Sequence, residues 1–108
     1  MAASVNDFRS VVSQGNTHRF KSITSLNPEL VHYVDKNGWT VLHEAVRSGK
    51  LEMVKLILEQ GADKDLLTIY GTSPLNIAKQ LLSENHEVIG YLESIDAKDI
   101  RRPPKQEL

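Results

Sequence analysis

Apolar residues recur along the chain at the three- and four-residue spacing of amphipathic helices, and no segment alternates convincingly with the two-residue period of a strand. The first run has Val5, Phe8, Val11 and Val12 on one face and breaks at Gln14-Gly15-Asn16, where a glycine suits a helix C-terminus. A second run has Phe20, Ile23 and Leu26 on one face, with Thr17 as its expected N-cap, and it ends at Asn27-Pro28. This pattern predicts an all-α chain that begins with two helices.

The next two segments repeat the plan of a short helix followed by a second helix. Turn signals at 35–38 and 70–72 precede them, and glycines at 49 and 61 interrupt or end the helical pattern. Pro74 suits a first helical position, because the N–H that proline lacks would be unpaired there in any case. The predicted helices span residues 41–48, 51–60, 74 to about 83, and about 86–95.

The second and third segments are copies of one unit. Placing 35–67 over 68–95 with an offset of 33 aligns Gly38 with Gly71, Thr40 with Ser73, Leu42 with Leu75 and Ala45 with Ala78; one inserted residue then aligns Val54 with Val88 and Leu58 with Leu92. A period near 33 with two helices per unit predicts a stacked array. The expected domain is 1–95, with repeats at about 1–34, 35–67 and 68–95, followed by an extended charged tail at 96–108.

The second unit resembles an ankyrin repeat almost from end to end, through the stretches 35–45, 49–58 and 61–63. The third unit keeps the proline of this family at Pro74, where the second has Val41, but has Asn76 in place of the histidine. The resemblance covers about residues 4–95. It implies an all-α ankyrin-repeat solenoid of about three stacked helix-turn-helix repeats with short hairpin turns.

The resemblance also implies structural roles for the motif residues. Thr40 is expected to cap a helix and bond with His43, His43 to tie neighbouring repeats together, and Ala45 to allow two helices to approach closely. The glycines are expected where a side chain would strain a turn. The structural motif set comprises Gly38, Thr40, Leu42, His43, Ala45, Gly49, Gly61, Gly71, Pro74 and Ala78.

Composition narrows the possible partners and location. The 108 residues suffice for one domain, and 13 basic against 14 acidic residues give a formal charge of −1, so no broad attraction to nucleic acid or an acidic membrane is expected. Cysteine is absent, and no apolar run reaches the length of a membrane span. Met1–Asp7 does not resemble a secretory signal, which favours the cytosol or nucleus. The final residues Lys105-Gln106-Glu107-Leu108 are close to an endoplasmic-reticulum retrieval signal, so the lumen of that compartment is the alternative.

Catalytic and metal chemistry find little support in the residue pattern. The four histidines are scattered over different repeats without a pair at i, i+4 spacing, and acidic residues such as Glu44 and Glu52 are typical of solvated helix faces. Phosphate-binding glycine loops and serine-nucleophile motifs are absent from the sequence. We therefore expect no enzyme activity, metal, cofactor or small-molecule substrate. The alternative is an ankyrin appendage associated with or derived from an enzyme.

The resemblance implies a non-catalytic protein–protein interaction module, as a small adaptor or an accessory subunit, that binds through the concave face formed by hairpin tips and first helices. Trp39 lies at a position that varies in the family, and it is expected either to contact the partner or to stiffen the stack. The basic stretch 101–105 is either a recognition segment or a solvated tail. The predicted partner-binding set comprises Lys36, Asn37, Trp39, Arg47, Ser48, Ile69, Tyr70 and Thr72.

Overall fold

The structure, a computed structural model, describes residues 5–101, and this part of the chain is helical. Its β-pairing is limited to two isolated bridges, Val34 with Thr40 and Thr72 with Arg101. The prediction of an all-α chain is confirmed. The helices are α1 (Val5–Ser13), α2 (Thr17–Leu26), a 3₁₀ helix (Pro28–His32), α3 (Val41–Arg47), α4 (Leu51–Glu59), α5 (Pro74–Leu81) and α6 (Glu87–Ser94).

Hydroxyl and amide side chains start several of these helices. Thr40 has extended backbone and forms a capping box with His43 at the start of α3, and Ser73 accepts the Asn76 N–H at the start of α5. In α2 the cap is Asn16, which accepts the Arg19 N–H. The expectation that Thr17 is the N-cap is wrong by one residue, because the amide oxygen of Asn16 already meets an otherwise unpaired helical N–H.

The helices form two layers stacked along the chain. In the first layer α3 packs against α1 on one side and α5 on the other, and in the second layer α4 contacts α2 and α6. Each repeat buries its apolar face against its neighbours, so the core is one continuous seam. The fully buried large side chains of this seam include Phe8, Phe20, Leu42, Met53, Ile57 and Leu92.

The third repeat contains two inserted residues where one was expected. The Gly61 N–H binds the Leu58 carbonyl and the Asp96 N–H binds the Glu93 carbonyl, which sets these equivalent bonds 35 residues apart. The same offset aligns Met53, Val54 and Ile57, all buried, with the buried Val88, Ile89 and Leu92. The predicted alignment of Val54 with Val88 is therefore wrong by one residue, because the loop between α5 and α6 is longer than a single insertion allows.

Residues 96–101, which we term the C-terminal segment, lie against the third repeat. Asp96 has a positive φ of 61°, and the Ala97 N–H binds the Leu92 carbonyl as the Ala62 N–H binds that of Ile57. The predicted boundary after residue 95 stays a prediction. Residues 102–108, with most of the basic stretch and the Lys105–Leu108 tetrapeptide, lie outside the described residues. None of the helices in 5–101 has the length and apolar composition to cross a bilayer.

Candidate functional site

Two hairpins project from the helical layers, one before α3 and one before α5. In the second-repeat hairpin (residues 34–40) the Asp35 N–H binds the Trp39 carbonyl at 3.1 Å, and the Gly38 N–H binds the Asp35 carbonyl at 2.9 Å. In the third-repeat hairpin (residues 68–72) the Thr68 N–H binds the Thr72 carbonyl at 3.0 Å. Short hydrogen-bonded turns of this kind hold their tips in a fixed orientation.

The two hairpins lie side by side. The Ile69 N–H donates to the Asn37 carbonyl at 3.0 Å. Gly38 permits this approach, since a Cβ there would lie 2.8 Å from the Ile69 nitrogen, and its φ of +72° is one that residues with a side chain rarely adopt. The hydrogen bond places the exposed Lys36 and Asn37 beside the exposed Ile69 and Tyr70.

Asp35 holds the second-repeat hairpin to the first repeat. Its carboxylate accepts the N–H groups of Asn37 and Trp39 at 2.8 and 2.9 Å and pairs with the Arg9 guanidinium at 2.6 Å. Partial burial raises the pKa of Asp35, but the hydrogen bonds from Trp39, Arg9 and Asn37 outweigh it, and the pKa lies below the usual value. The carboxylate is therefore ionised at neutral pH and fixes the hairpin.

His43 lies buried at the start of α3, between the second and third repeats. Its Nδ1 accepts the Thr40 N–H at 3.2 Å and lies 2.8 Å from the Thr40 hydroxyl, so this network assigns the ring proton to Nε2. Burial lowers the pKa of His43, and the nearby backbone of Thr72 and Leu66 offsets only part of that change. The imidazole is therefore neutral, and within the described residues no acceptor reaches Nε2 with hydrogen-bond geometry.

The other predicted motif residues have the burial or backbone conformation that close packing needs. Leu42, Ala45, Pro74 and Ala78 are buried in the helical layers. The motif glycines with positive φ are Gly38, Gly49, Gly61 and Gly71.

Trp39 is half-buried and packs onto its own repeat. Its ring centroid lies 5.2 Å from that of His43, and its Nε1–H donates to the Glu44 carboxylate at 3.3 Å. The same carboxylate pairs with Arg47 and accepts the Ser48 hydroxyl at 3.3 Å. Glu44, which was expected only as a solvated surface residue, thus joins three predicted contact residues. The sequence feature that could have indicated this role of Glu44 is its i, i+3 spacing from Arg47.

The predicted contact residues differ in their exposure. Ile69 and Tyr70 are 61% and 57% exposed, the highest values among the predicted apolar contact residues. Thr72 is only 7% exposed and so offers little surface to a partner. Its backbone pairs with the C-terminal segment, in which Arg101 forms a bridge with Thr72.

Polar contacts from α5 hold the C-terminal segment. The Ser73 N–H donates to the Ile100 carbonyl and the Ile100 N–H donates to the Ser73 hydroxyl, both at 2.9 Å. The Asn76 amide donates to Asp99 at 2.7 Å, and Lys79 pairs with the same carboxylate at 3.2 Å. The hydrogen bond from Asn76 lowers the pKa of Asp99, and Lys79 adds to this effect against the opposing effect of burial. The sequence feature that could have indicated the contact with Asp99 is Asn76, which stands where the second repeat has His43.

No group of three or more histidine and acidic side chains in the described part of the chain is arranged to hold a metal ion. The geometry brings together hydrogen-bonded hairpin tips, exposed apolar side chains and charged side chains.

Comparisons with known proteins agree with this architecture. A family model described as ankyrin repeats (3 copies) matches residues 8–101. The human Notch-regulated ankyrin repeat-containing protein is 39% identical over 88 residues, which are 79% of this chain and 75% of that protein. The human NAD-capped RNA hydrolase NUDT12 is 32% identical over 74 residues, and the match spans 68% of this chain but only 16% of the hydrolase. Among solved structures, the human ASB11 ankyrin repeat domain superposes with a TM-score of 0.73 at 27% identity, covering 84% of this chain and 40% of that one.

Proposed function

Since the chain belongs to the ankyrin-repeat family, we propose that it is a protein-binding module whose concave face, formed by the hairpin tips and the first helices of the repeats, contacts one protein partner. Ankyrin repeats are generally non-catalytic protein–protein interaction modules. In this proposal the chain serves as a small adaptor or as an accessory subunit of a larger assembly.

The observation that carries the proposal is the hydrogen bond between the two hairpins, from the Ile69 N–H to the Asn37 carbonyl. It sets Ile69 and Tyr70, both more than half exposed, next to Lys36 and Asn37. We term these four residues the tip surface. Tyrosine is enriched among residues that dominate binding energy, and a surface fixed by backbone bonds loses little conformational entropy on association.

Substitution of Tyr70 tests this proposal. Affinity purification of the tagged chain from cells identifies retained proteins, and the affinity of a retained protein is then measured for each purified variant. We expect Tyr70→Ala to weaken binding by about tenfold or more, as for a hot-spot aromatic residue, with an unchanged melting temperature. Leu26→Ala is the control, because Leu26 is 82% exposed on α2, in the other helical layer. Equal partner affinities of the unchanged chain, Tyr70→Ala and Leu26→Ala would refute the proposed face.

In this proposal Trp39 also contacts the partner, at the edge of the same face. Its ring packs on His43 as well, and its Nε1–H donates to the Glu44 carboxylate. Trp39→Ala separates the two roles. We expect it to lower both stability and partner affinity. Loss of stability with unchanged affinity would leave Trp39 with a purely structural role.

A second candidate function is that of a repeat appendage accompanying an enzyme. The similarity to the human NAD-capped RNA hydrolase NUDT12 favours it, although the matched region spans only 16% of that protein. The mass of the endogenous protein, measured by immunoblotting with an antibody against 35–67, tests it. A mass far above that of 108 residues would support this candidate, and a mass near that value would contradict it.

For location we propose the cytosol or nucleus. Fractionation of cells that express residues 1–108 tests this inference. Recovery in the endoplasmic-reticulum lumen, followed by secretion when Leu108 is deleted, would favour the retrieval-signal alternative.

A further inference from the structure

Two exposed cationic residues, Lys36 and Arg101, lie on segments that pair with the third-repeat hairpin. Lys36 is exposed on the second-repeat hairpin, directly before Asn37, whose carbonyl binds Ile69. Arg101 is exposed on the C-terminal segment and pairs with Thr72, two residues after Tyr70. The third-repeat hairpin carries the exposed apolar pair Ile69 and Tyr70. It is bonded through Ile69 to the second-repeat hairpin, which carries Lys36, and through Thr72 to the C-terminal segment, which carries Arg101.

Nearby carboxylates are already neutralised inside the fold. Asp35 pairs with Arg9 at 2.6 Å, Glu44 pairs with Arg47, and Asp99 pairs with Lys79 at 3.2 Å. By contrast, within residues 5–101 neither Lys36 nor Arg101 has a carboxylate within ion-pair distance. The exposed apolar pair Ile69 and Tyr70 thus lies on a hairpin that pairs with two segments, and each of these segments carries a cation that has no internal partner in this part of the chain.

Polar contacts with Ser73, α5 and Asp65 hold the C-terminal segment. Besides the two bonds between Ser73 and Ile100, the Asn76–Asp99 hydrogen bond and the Lys98 N–H, which donates to Asp65 at 2.7 Å, hold it in place. In the second repeat the equivalent of Asn76 is the buried His43, which faces the backbone of the next repeat. Asn76 therefore acts as a positioning residue for Arg101 through Asp99.

We propose that the tip surface binds an acidic peptide segment, in which one large apolar side chain packs on Ile69 and Tyr70 while carboxylates on either side pair with Lys36 and Arg101. This inference rests on the proposed function and adds the chemistry of the partner. Complementary charges at the rim of an apolar contact mainly raise the association rate and the specificity, so the complex weakens as salt concentration rises.

The test uses the full chain and short synthetic probes. The probes are a fluorescein-labelled peptide with a central Leu-Phe pair flanked by glutamates, the same peptide with lysines in place of the glutamates, and an oligouridylate of similar negative charge. Fluorescence anisotropy gives affinities at two NaCl concentrations, and NMR chemical shifts give the contacted residues. We expect the glutamate peptide to bind about tenfold more tightly than the lysine peptide, to weaken with salt, and to shift the amides of Ile69 and Tyr70.

Charge-reversal variants locate the acidic contacts. Lys36→Glu and Arg101→Glu are each expected to weaken binding of the glutamate peptide roughly fivefold and to improve binding of the lysine peptide. Lys21→Glu is the matched control, since Lys21 is an exposed lysine of α2 in the other helical layer. An equal effect of all three substitutions would overturn the proposal, because it would show a dependence on net charge alone.

Substitutions at Asn76 and Asp99 test whether Asn76 positions Arg101. Asn76→Asp sets a carboxylate against Asp99, so it is expected to release the segment and to weaken peptide binding as much as Arg101→Gln does. The two changes together are expected to add no further loss. Asn76→Asp with Asp99→Asn restores a hydrogen-bonding pair and is expected to restore binding. Additive losses, or no rescue, would remove the positioning role.

The remaining outcomes separate this inference from the proposed function. Equal binding of both peptides with shifts at Ile69 and Tyr70 would overturn the acidic partner and leave the contact face standing. Shifts confined to other helices would overturn both. Tighter binding of the oligouridylate than of the glutamate peptide would assign the cations to nucleic acid and would overturn the peptide proposal.

Discussion

His43 is a residue whose protonation is changed by the fold. It is fully buried, and burial lowers its pKa below the ordinary value of 6.5, so the folded state keeps it neutral where the unfolded chain binds a proton. For a histidine with a lowered pKa the unfolded state gains the proton first as pH falls. Stability from this group is therefore complete well above pH 6.5 and declines below it.

We predict that the free energy of unfolding falls as pH is lowered from about 7 toward 5, with a slope from this one group of at most about 1.4 kcal/mol per pH unit. Urea denaturation at several pH values measures it, and His43→Gln is expected to flatten the profile in this window. Asp35, Asp65 and Asp99 have lowered pKa values, so their stabilisation is lost only as pH falls below about their ordinary 3.8. An unchanged slope in His43→Gln would assign the effect to other groups.

Gly38 joins the two hairpins by having no side chain. A Cβ would lie 2.8 Å from the Ile69 nitrogen, and φ is +72°. We predict that Gly38→Ala lowers the free energy of unfolding by about 1–3 kcal/mol, measured by urea denaturation. Gly90→Ala is the contrast, because a Cβ in the middle of α6 meets nothing within 4 Å. That change is expected to be neutral or to stabilise by about 0.5–1 kcal/mol, and a similar loss in both variants would contradict the steric argument.

Sequence reasoning at the residue scale located side chains whose role depends on local chain geometry. The family resemblance placed Thr40 and His43 together correctly, and the geometry agrees, because a helix cap and the third residue of the helix are neighbours. Sequence reasoning failed at Thr72 and Glu44. Thr72 pairs with Arg101, which is distant along the chain. The three partners of Glu44 depend on side-chain directions that periodicity does not specify.

At the element scale, the turn and cap signals predicted the helices well and the connecting segments poorly. The α3, α4 and α5 helices begin at the residues that these signals indicate, since caps and breakers act over one turn. The 3₁₀ helix Pro28–His32 was not predicted, and the alignment of α6 was off by one residue. The docking of residues 96–101 has no apolar periodicity to reveal it, because Ser73, Asn76 and Asp65 hold it with polar contacts.

The corrected alignment distinguishes two neighbouring residues of α4. Ile57, the equivalent of Leu92, is fully buried, whereas Leu58 is half-buried. We predict that Ile57→Ala lowers the free energy of unfolding by about 3 kcal/mol and that Leu58→Ala lowers it by roughly half as much. The difference is expected because folding buries less apolar surface of Leu58 than of Ile57. Urea denaturation of the two variants provides the comparison. A larger cost at Leu58 would support the alignment with one inserted residue and refute the present one.

At the scale of the whole molecule, each repeat is stabilised mainly by its neighbours. Three repeats are about the minimum for such an array, because a single repeat cannot bury its apolar faces. The middle repeat is covered on both sides, with α3 between α1 and α5 and α4 between α2 and α6. Within residues 5–101 the first and third repeats each have a neighbouring repeat on one side, and the C-terminal segment adds polar contacts to the third.

This asymmetry predicts the order in which amide hydrogens exchange. Local opening of an outer helix breaks one interface, whereas opening of α3 or α4 requires the separation of both neighbours and so approaches global unfolding. We predict that amides in 41–47 and 51–59 exchange most slowly, and that those in α2 and α6 exchange about tenfold faster or more, since each 1.4 kcal/mol of opening free energy is a factor of ten. Hydrogen-exchange mass spectrometry measures these rates, and Asn76→Asp is expected to accelerate exchange in α6 but not in α2. If α2 or α6 were the most protected helix, stability would not derive from stacking on both sides of the middle repeat.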